Sequence, residues 1–156
     1  MRKFILNNEL KLIIEDDVLR KMYKYAPEDY KYENGGILLG KFLEKDSTYI
    51  ITNVSTTNSK DRKGKYFFIR NKIQAQIIIN KLWADSQGII NYLGEWHTHN
   101  EKSPKPSFVD KKLVKQMINN KNTEIKNAFM LILGKDKELY ICTINSDKKI
   151  YQLKEE

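Results

Sequence analysis

Apolar residues along this chain fall into short blocks whose spacing switches between a period of two and a period near 3.6. Phe4–Leu6 and Leu10–Ile14 flank Asn7-Asn8 and predict a short hairpin or bent strand pair. Glu15-Asp16-Asp17 offers cap-type acids ahead of a helix over Val18–Ala26, which Pro27 stops. Gly35-Gly36 opens an apolar run at Ile37–Leu43, and Tyr49–Val54 is rich in β-branched residues. Two neighbouring strands joined around Glu44–Ser47 are expected there. Thr56–Lys65 reads as a polar loop, with Tyr66–Arg70 a brief strand after it. Ile73, Ile77, Ile78 and Leu82 recur at helical spacing, so Asn71–Gln87 is expected to be an amphipathic helix. A buried strand over Ile89–Thr98, a Pro- and Lys-rich loop over Asn100–Pro106 and a helix over Ser107–Asn119 follow. Ala128–Leu133, Leu139–Ile144 and Ile150–Leu153 complete the pattern as strands separated by turn sequences. No repeat or linker interrupts it. The expected fold is α/β: a single domain over residues 1–156, with a mixed sheet covered by helices.

Composition narrows the class. A length of 156 residues suits one domain with its own core, and hydrophobic residues at 40% are enough to fill it. Cys142 is the only cysteine, which excludes a disulfide-stapled scaffold and any multi-cysteine zinc site. No apolar stretch reaches the ~18–20 residues of a membrane span. The apolar run near the N-terminus is too short for a signal peptide. A soluble cytoplasmic protein is expected. The formal charge of +8 and a pI near 9.4 suggest an acidic partner, with nucleic acid the first candidate.

The two histidines alter that picture. His97 and His99 stand two apart in Gly94-Glu95-Trp96-His97-Thr98-His99, and on a strand positions i and i+2 share a face. Asp110 follows eleven residues after His99, within reach of a loop and a returning helix. Two imidazoles and a carboxylate leave an open position on a tetrahedral metal, the pattern of a catalytic zinc site. Such a zinc brings the pKa of its water from about 15.7 to about 7. Non-haem iron uses the same donor set, so ligand type alone does not fix the metal. Ser107-x-x-Asp110 also reads as a capping box with Ser107 as N-cap, and an outward-pointing carboxylate satisfies both readings. Trp96 lies on the opposite strand face and is expected in the core.

His97-x-His99, seven residues, then Ser107-x-x-Asp110 resembles the JAMM signature of JAB/MPN-domain metallopeptidases. Glu33, with Gly36 three and Gly40 seven residues later, resembles the upstream glutamate string of that family. The resemblance implies an α-β-α, cytidine-deaminase-like fold. It further implies one Zn2+ per chain on His97, His99 and Asp110, Glu33 as general base, and Ser107 stabilising the oxyanion. Glu95 shares strand parity with His97 and is the rival base, but it matches no catalytic position of the family. Asn100 departs from the pattern, which usually has proline after the second histidine; altered loop rigidity without loss of metal is expected. The strings look most like the bacterial branch, especially the JAB peptidases associated with CBASS antiphage operons. Those act on the C-terminal tail of a ubiquitin-like or CD-NTase partner and its conjugates, a tail expected to bind extended along a sheet edge. Alternatives are a RadC-like nucleic-acid-associated protein and a non-catalytic MPN scaffold. The first lacks the His-Asn-His-Pro-Ser-Gly string and its basic residues scatter; the second is disfavoured because every ligand position is filled. A zinc deaminase fails for want of a Pro-Cys-x-x-Cys pair.

Overall fold

Each alternating block becomes a strand because it can turn one apolar face toward a layer of helices. The computed structural model describes residues 1–27, 32–118 and 126–156. β1 (Arg2–Leu6) and β2 (Leu10–Ile14) pair antiparallel across the Asn7-Asn8 turn, and α1 (Asp16–Tyr23) follows. The helix is shorter than expected: its C-cap is Lys24, Lys24 and Tyr25 form a turn, and Ala26 lies beyond it. β3 (Gly35–Leu43) and β4 (Thr48–Val54) form the expected antiparallel neighbours.

The segment expected to be loop carries β5 (Arg62–Lys63), which pairs with β6 (Phe68–Ile69) as a separate two-stranded ribbon. The pairing joins a charged strand to an apolar one, so alternation gave no signal for it. α2 (Lys72–Asp85) is then capped by the Asn71 side chain, which accepts from the Gln74 N–H at 3.0 Å. The helical spacing of Ile73, Ile77, Ile78 and Leu82 does not mark its buried face. Ile73 and Ile77 are 72% and 55% exposed, while Ala75, Ile78, Ile79 and Leu82 point inward. The helix is apolar on both sides, so spacing alone could not choose between them.

β7 (Asn91–Thr98), α3 (Phe108–Ile118), β8 (Asn127–Leu133), β9 (Leu139–Asn145), β10 (Ile150–Gln152) and β11 (Lys154–Glu155) complete the fold. Asn119, the expected end of α3, lies outside the described residues. The main sheet runs β10-β9-β8-β7-β3-β4-β2-β1-β11, with β2–β4 and β7–β8 parallel and the remaining pairs antiparallel. It is the mixed sheet the sequence implied. α1 packs on one face through Val18, Leu19 and Met22, against Leu38, Trp96 and Phe129. α2 and α3 cover the other, over Ile37 and Leu39 and over Met130 and Ile132 respectively.

Two features position the site. First, β7 changes face part-way. Leu93 and Trp96 belong to the α1-side core, yet Tyr92 faces α2, so one extra residue separates the two halves of the strand. The register against β3 skips Leu93, between Tyr92 opposite Leu39 and Gly94 opposite Leu38, and Gly94 takes up the turn at φ 143°. The switch aims the odd-numbered residues beyond it at the α2/α3 layer. Second, one continuous C-terminal stretch joins both margins of the sheet. Ile150–Gln152 pairs with β9, Leu153 N–H donates to Ile141 O, and Lys154–Glu155 pairs with β1. Arg2 clasps Glu155 bidentately, with two contacts of 2.7 Å.

Candidate active site

The end of β7 brings His97 and His99 to the same side, as strand parity requires. Their Nε2 atoms lie 3.1 Å apart. The Ser107-x-x-Asp110 turn supplies the carboxylate. Ser107 N–H donates to Asp110 Oδ2 at 2.8 Å and Asp110 N–H donates to Ser107 Oγ at 3.1 Å, a reciprocal cap opening α3. The same carboxylate reaches outward: Oδ1 lies 3.2 Å from His97 Nε2, and Oδ2 lies 3.1 Å from His99 Nε2. Capping and clustering therefore coexist.

Glu33 joins from the segment just before β3, its Oε1 3.7 Å from His99 Nε2. Its backbone is pinned on two sides. Glu33 N–H donates to Gly64 O at 2.8 Å, between β5 and β6, and Asn34 exchanges bonds with Thr98 at 2.8 and 3.0 Å. Close approach needs glycine at position 35, because a Cβ there would sit 2.3 Å from Trp96 O. Trp96 itself is fully buried on the opposite face, with its indole N–H on Ser55 O at 2.9 Å.

These contacts share too few protons. Three close contacts, His97 Nε2 to His99 Nε2, His97 Nε2 to Asp110 Oδ1 and His99 Nε2 to Asp110 Oδ2, lie at 3.1–3.2 Å, and each ring nitrogen carries at most one hydrogen. A cation among converging lone pairs resolves the crowding. Glu33, His97 and His99 also each offer a ligand atom, all within 4.8 Å of one another, so this group could hold a metal ion.

Electrostatics follow from the same geometry. Burial pushes the Glu33 carboxyl up to about 7, against the pull of His99 and with help from the Asp110 charge. On His99 burial opposes the charge, but the Asp110 and Glu33 carboxylates outweigh it and raise the imidazole to about 9. Burial would raise Asp110, yet hydrogen bonds from both imidazoles hold it far below the usual carboxylate range.

Glu95, the rival base, shares the face of His97 but is spent elsewhere. Its carboxylate pairs with Arg70 and lies 3.4 Å from the Tyr92 hydroxyl. Glu101 was missed. Its Oε1 lies 3.1 Å from His99 Nδ1 and accepts from the Lys105 N–H at 3.1 Å. A carboxylate there fixes the tautomer that leaves Nε2 free to bind a metal. Its carbonyl accepts from Lys135 N–H at 2.8 Å, so the loop is tied down without a proline at position 100.

Comparison with known proteins gives the family of the chain. Residues 15–145 match the model of the prokaryotic homologs of the JAB domain. This chain belongs to the JAB family. A relative from Escherichia coli, named CD-NTase/cGAS isopeptidase, is 34% identical over 69% of this chain and 68% of its own. One of the same name from Pseudomonas aeruginosa is 36% identical over 53% and 51%. A probable metalloprotease of Sinorhizobium fredii is 26% identical over 77% and 73%. Among solved structures, a solution structure of a Desulfitobacterium hafniense protein has the same fold. Its TM-score is 0.61 at 17% identity, covering 93% of this chain and 89% of that one. Among the described residues of this JAB protein, no helix is long and apolar enough to cross a membrane.

Proposed function

We propose that this JAB protein is a zinc-dependent isopeptidase of the JAMM type. Its substrate is the bond joining the C-terminal tail of a CD-NTase, or of a ubiquitin-like protein, to a conjugated amine. We further propose that residues 1–156 act as one JAB unit, in the cytoplasm, in CBASS-type antiphage defence. The observation that carries the reading is the convergence of His97, His99 and Asp110 beside a buried Glu33. The relatives named CD-NTase/cGAS isopeptidase support the substrate class.

Zinc suits this donor set. Ligand atoms about 2.0–2.1 Å from a tetrahedral zinc lie about 3.3–3.4 Å from each other; here the two imidazole nitrogens sit 3.1 Å apart, and each has one Asp110 oxygen at 3.1–3.2 Å. Held by His97, His99 and Asp110, zinc supplies Lewis-acid polarisation to the scissile carbonyl and to water. Glu33, in its ionised form, takes the proton of the attacking water and returns it to the leaving lysine amine as the carbon–nitrogen bond breaks. The exposed Ser107 hydroxyl uses its oxygen to accept the Asp110 N–H and keeps its hydrogen to donate to the carbonyl oxygen as charge builds there. Glu101 holds His99 in the tautomer that presents Nε2.

The test is incubation with a CD-NTase whose C-terminal carboxylate is joined to a lysine of a carrier protein. Mass spectrometry is expected to detect the free carboxylate, with release halted by a chelator and restored by zinc. Intact CD-NTase and ubiquitin-like conjugates after incubation with zinc-loaded protein overturn the reading.

A further inference from the structure

The entire net charge of this chain sits in two stretches. Residues 58–72 hold six Lys or Arg against one Asp, and residues 99–118 hold five Lys against one Glu and one Asp. The rest of the chain carries 17 basic and 17 acidic residues and is neutral, so these stretches account for the full +8.

Both stretches touch the candidate site. The Gly64 carbonyl that holds the Glu33 N–H lies between Arg62-Lys63 and Lys65. Lys111 and Lys112 directly follow Asp110, and Lys102 and Lys105 lie on the loop bonded through Glu101 to His99. The three acids in these stretches are already committed. Asp61 accepts from the Asn58 and Asn71 N–H groups at 2.8 and 2.7 Å, while Glu101 and Asp110 serve the histidines. Of the eleven bases, Arg70 is half-buried on Glu95 and the other ten are exposed. Large apolar side chains are exposed among them: Tyr66, Phe67 and Ile69 on one stretch, Phe108 and Val109 on the other.

We infer that this basic and apolar rim docks the protein body of the substrate, and that the partner presents acidic residues around an apolar patch beside its tail. The inference rests on the peptidase reading and names the chemistry of its substrate. Positive charge lining a site raises the encounter rate with an acidic partner by about 10- to 1000-fold at low salt. Exposed aliphatic side chains such as Ile69 and Val109 favour protein over nucleic acid, since a sugar–phosphate backbone offers them nothing apolar to bury against.

Two synthetic peptides test it. Each ends in a CD-NTase C-terminal tail joined by an isopeptide bond to a fluorescent lysine; one carries a glutamate block upstream, the other a lysine block. At low salt the glutamate-block peptide is expected to have a kcat/KM about 10- to 1000-fold higher. The difference should collapse near about 0.5 M salt, where screening shortens to a few Å. The combined variant Arg62→Glu, Lys63→Glu, Lys111→Glu and Lys112→Glu should lose that preference, with zinc content and cleavage of an uncharged-block peptide unchanged. Equal rates, a lysine-block preference, or a preference that survives in the variant overturns the inference. So does displacement of the glutamate-block peptide by a DNA duplex that binds more tightly. If no peptide is cut, the peptidase reading fails instead, and fluorescence anisotropy of the two peptides still decides the rim.

Discussion

Protonation of His99 links the cluster to pH at the scale of single residues. In the metal-free chain its imidazole is raised to about 9, and metal binding needs Nε2 without a proton. Apparent zinc affinity is therefore expected to climb about tenfold per pH unit up to about 9 and then flatten; a flat response between pH 7 and 9 contradicts this. The Glu101→Gln variant should bind zinc about 10- to 100-fold more weakly at each pH. Linkage has a definite sign in the metal-free protein. A raised His99 contributes stability that is complete below its unfolded value near 6.5 and is lost as pH rises through about 9. The protonated Glu33 carboxyl likewise favours the fold below about 4.5 and loses that advantage through about 7. The melting temperature of metal-free protein should therefore fall between pH 6 and 9.5. His97, His99, Ser107 and Asp110 were legible because strand parity and a helix cap are local rules. Glu101 was not, because its approach to His99 depends on where Lys135 and Lys105 return to the loop.

Elements decide where those residues point, and the turning point of β7 is Gly94. A Cβ at that position would lie 1.9 Å from Phe129 O, on a backbone at φ 143° that other residues rarely adopt. Gly94→Ala is expected to cost about 3 kcal/mol or more in chemical denaturation, and to lower zinc occupancy by shifting His97 and His99. Near-normal stability with full zinc binding would show that the bulge is dispensable. Period-two reading found the strand but not the bulge, because a strand buried on both faces shows no alternation to break. The inward face of α2 is illegible for a related reason. With isoleucines on both flanks, Ile73 and Ile77 looked as inward as Ile78 and Ile79, and packing over Ile37 and Leu39 made the choice.

Across the whole molecule, a single C-terminal stretch ties β9 to β1 and leaves little of the main sheet's margin for an extended tail to pair with. Leu153, at the crossing point, is buried in the core under α1. Leu153→Ala is expected to cost about 2–5 kcal/mol, and an unchanged unfolding midpoint would contradict the sealing role. A mixed sheet covered by helices followed from the strand and helix blocks, and the α-β-α layering from the family resemblance; the joining of both margins did not, because Ile150–Leu153 reads as one ordinary strand. Charge gained meaning only with the fold, which gathers the two basic stretches around a neutral remainder. Turnover by the Glu33→Gln variant at full zinc occupancy tests the peptidase site most directly. One zinc per chain with kcat on a CD-NTase conjugate reduced at least about 100-fold is the expected result. Wild-type turnover in that variant would contradict it.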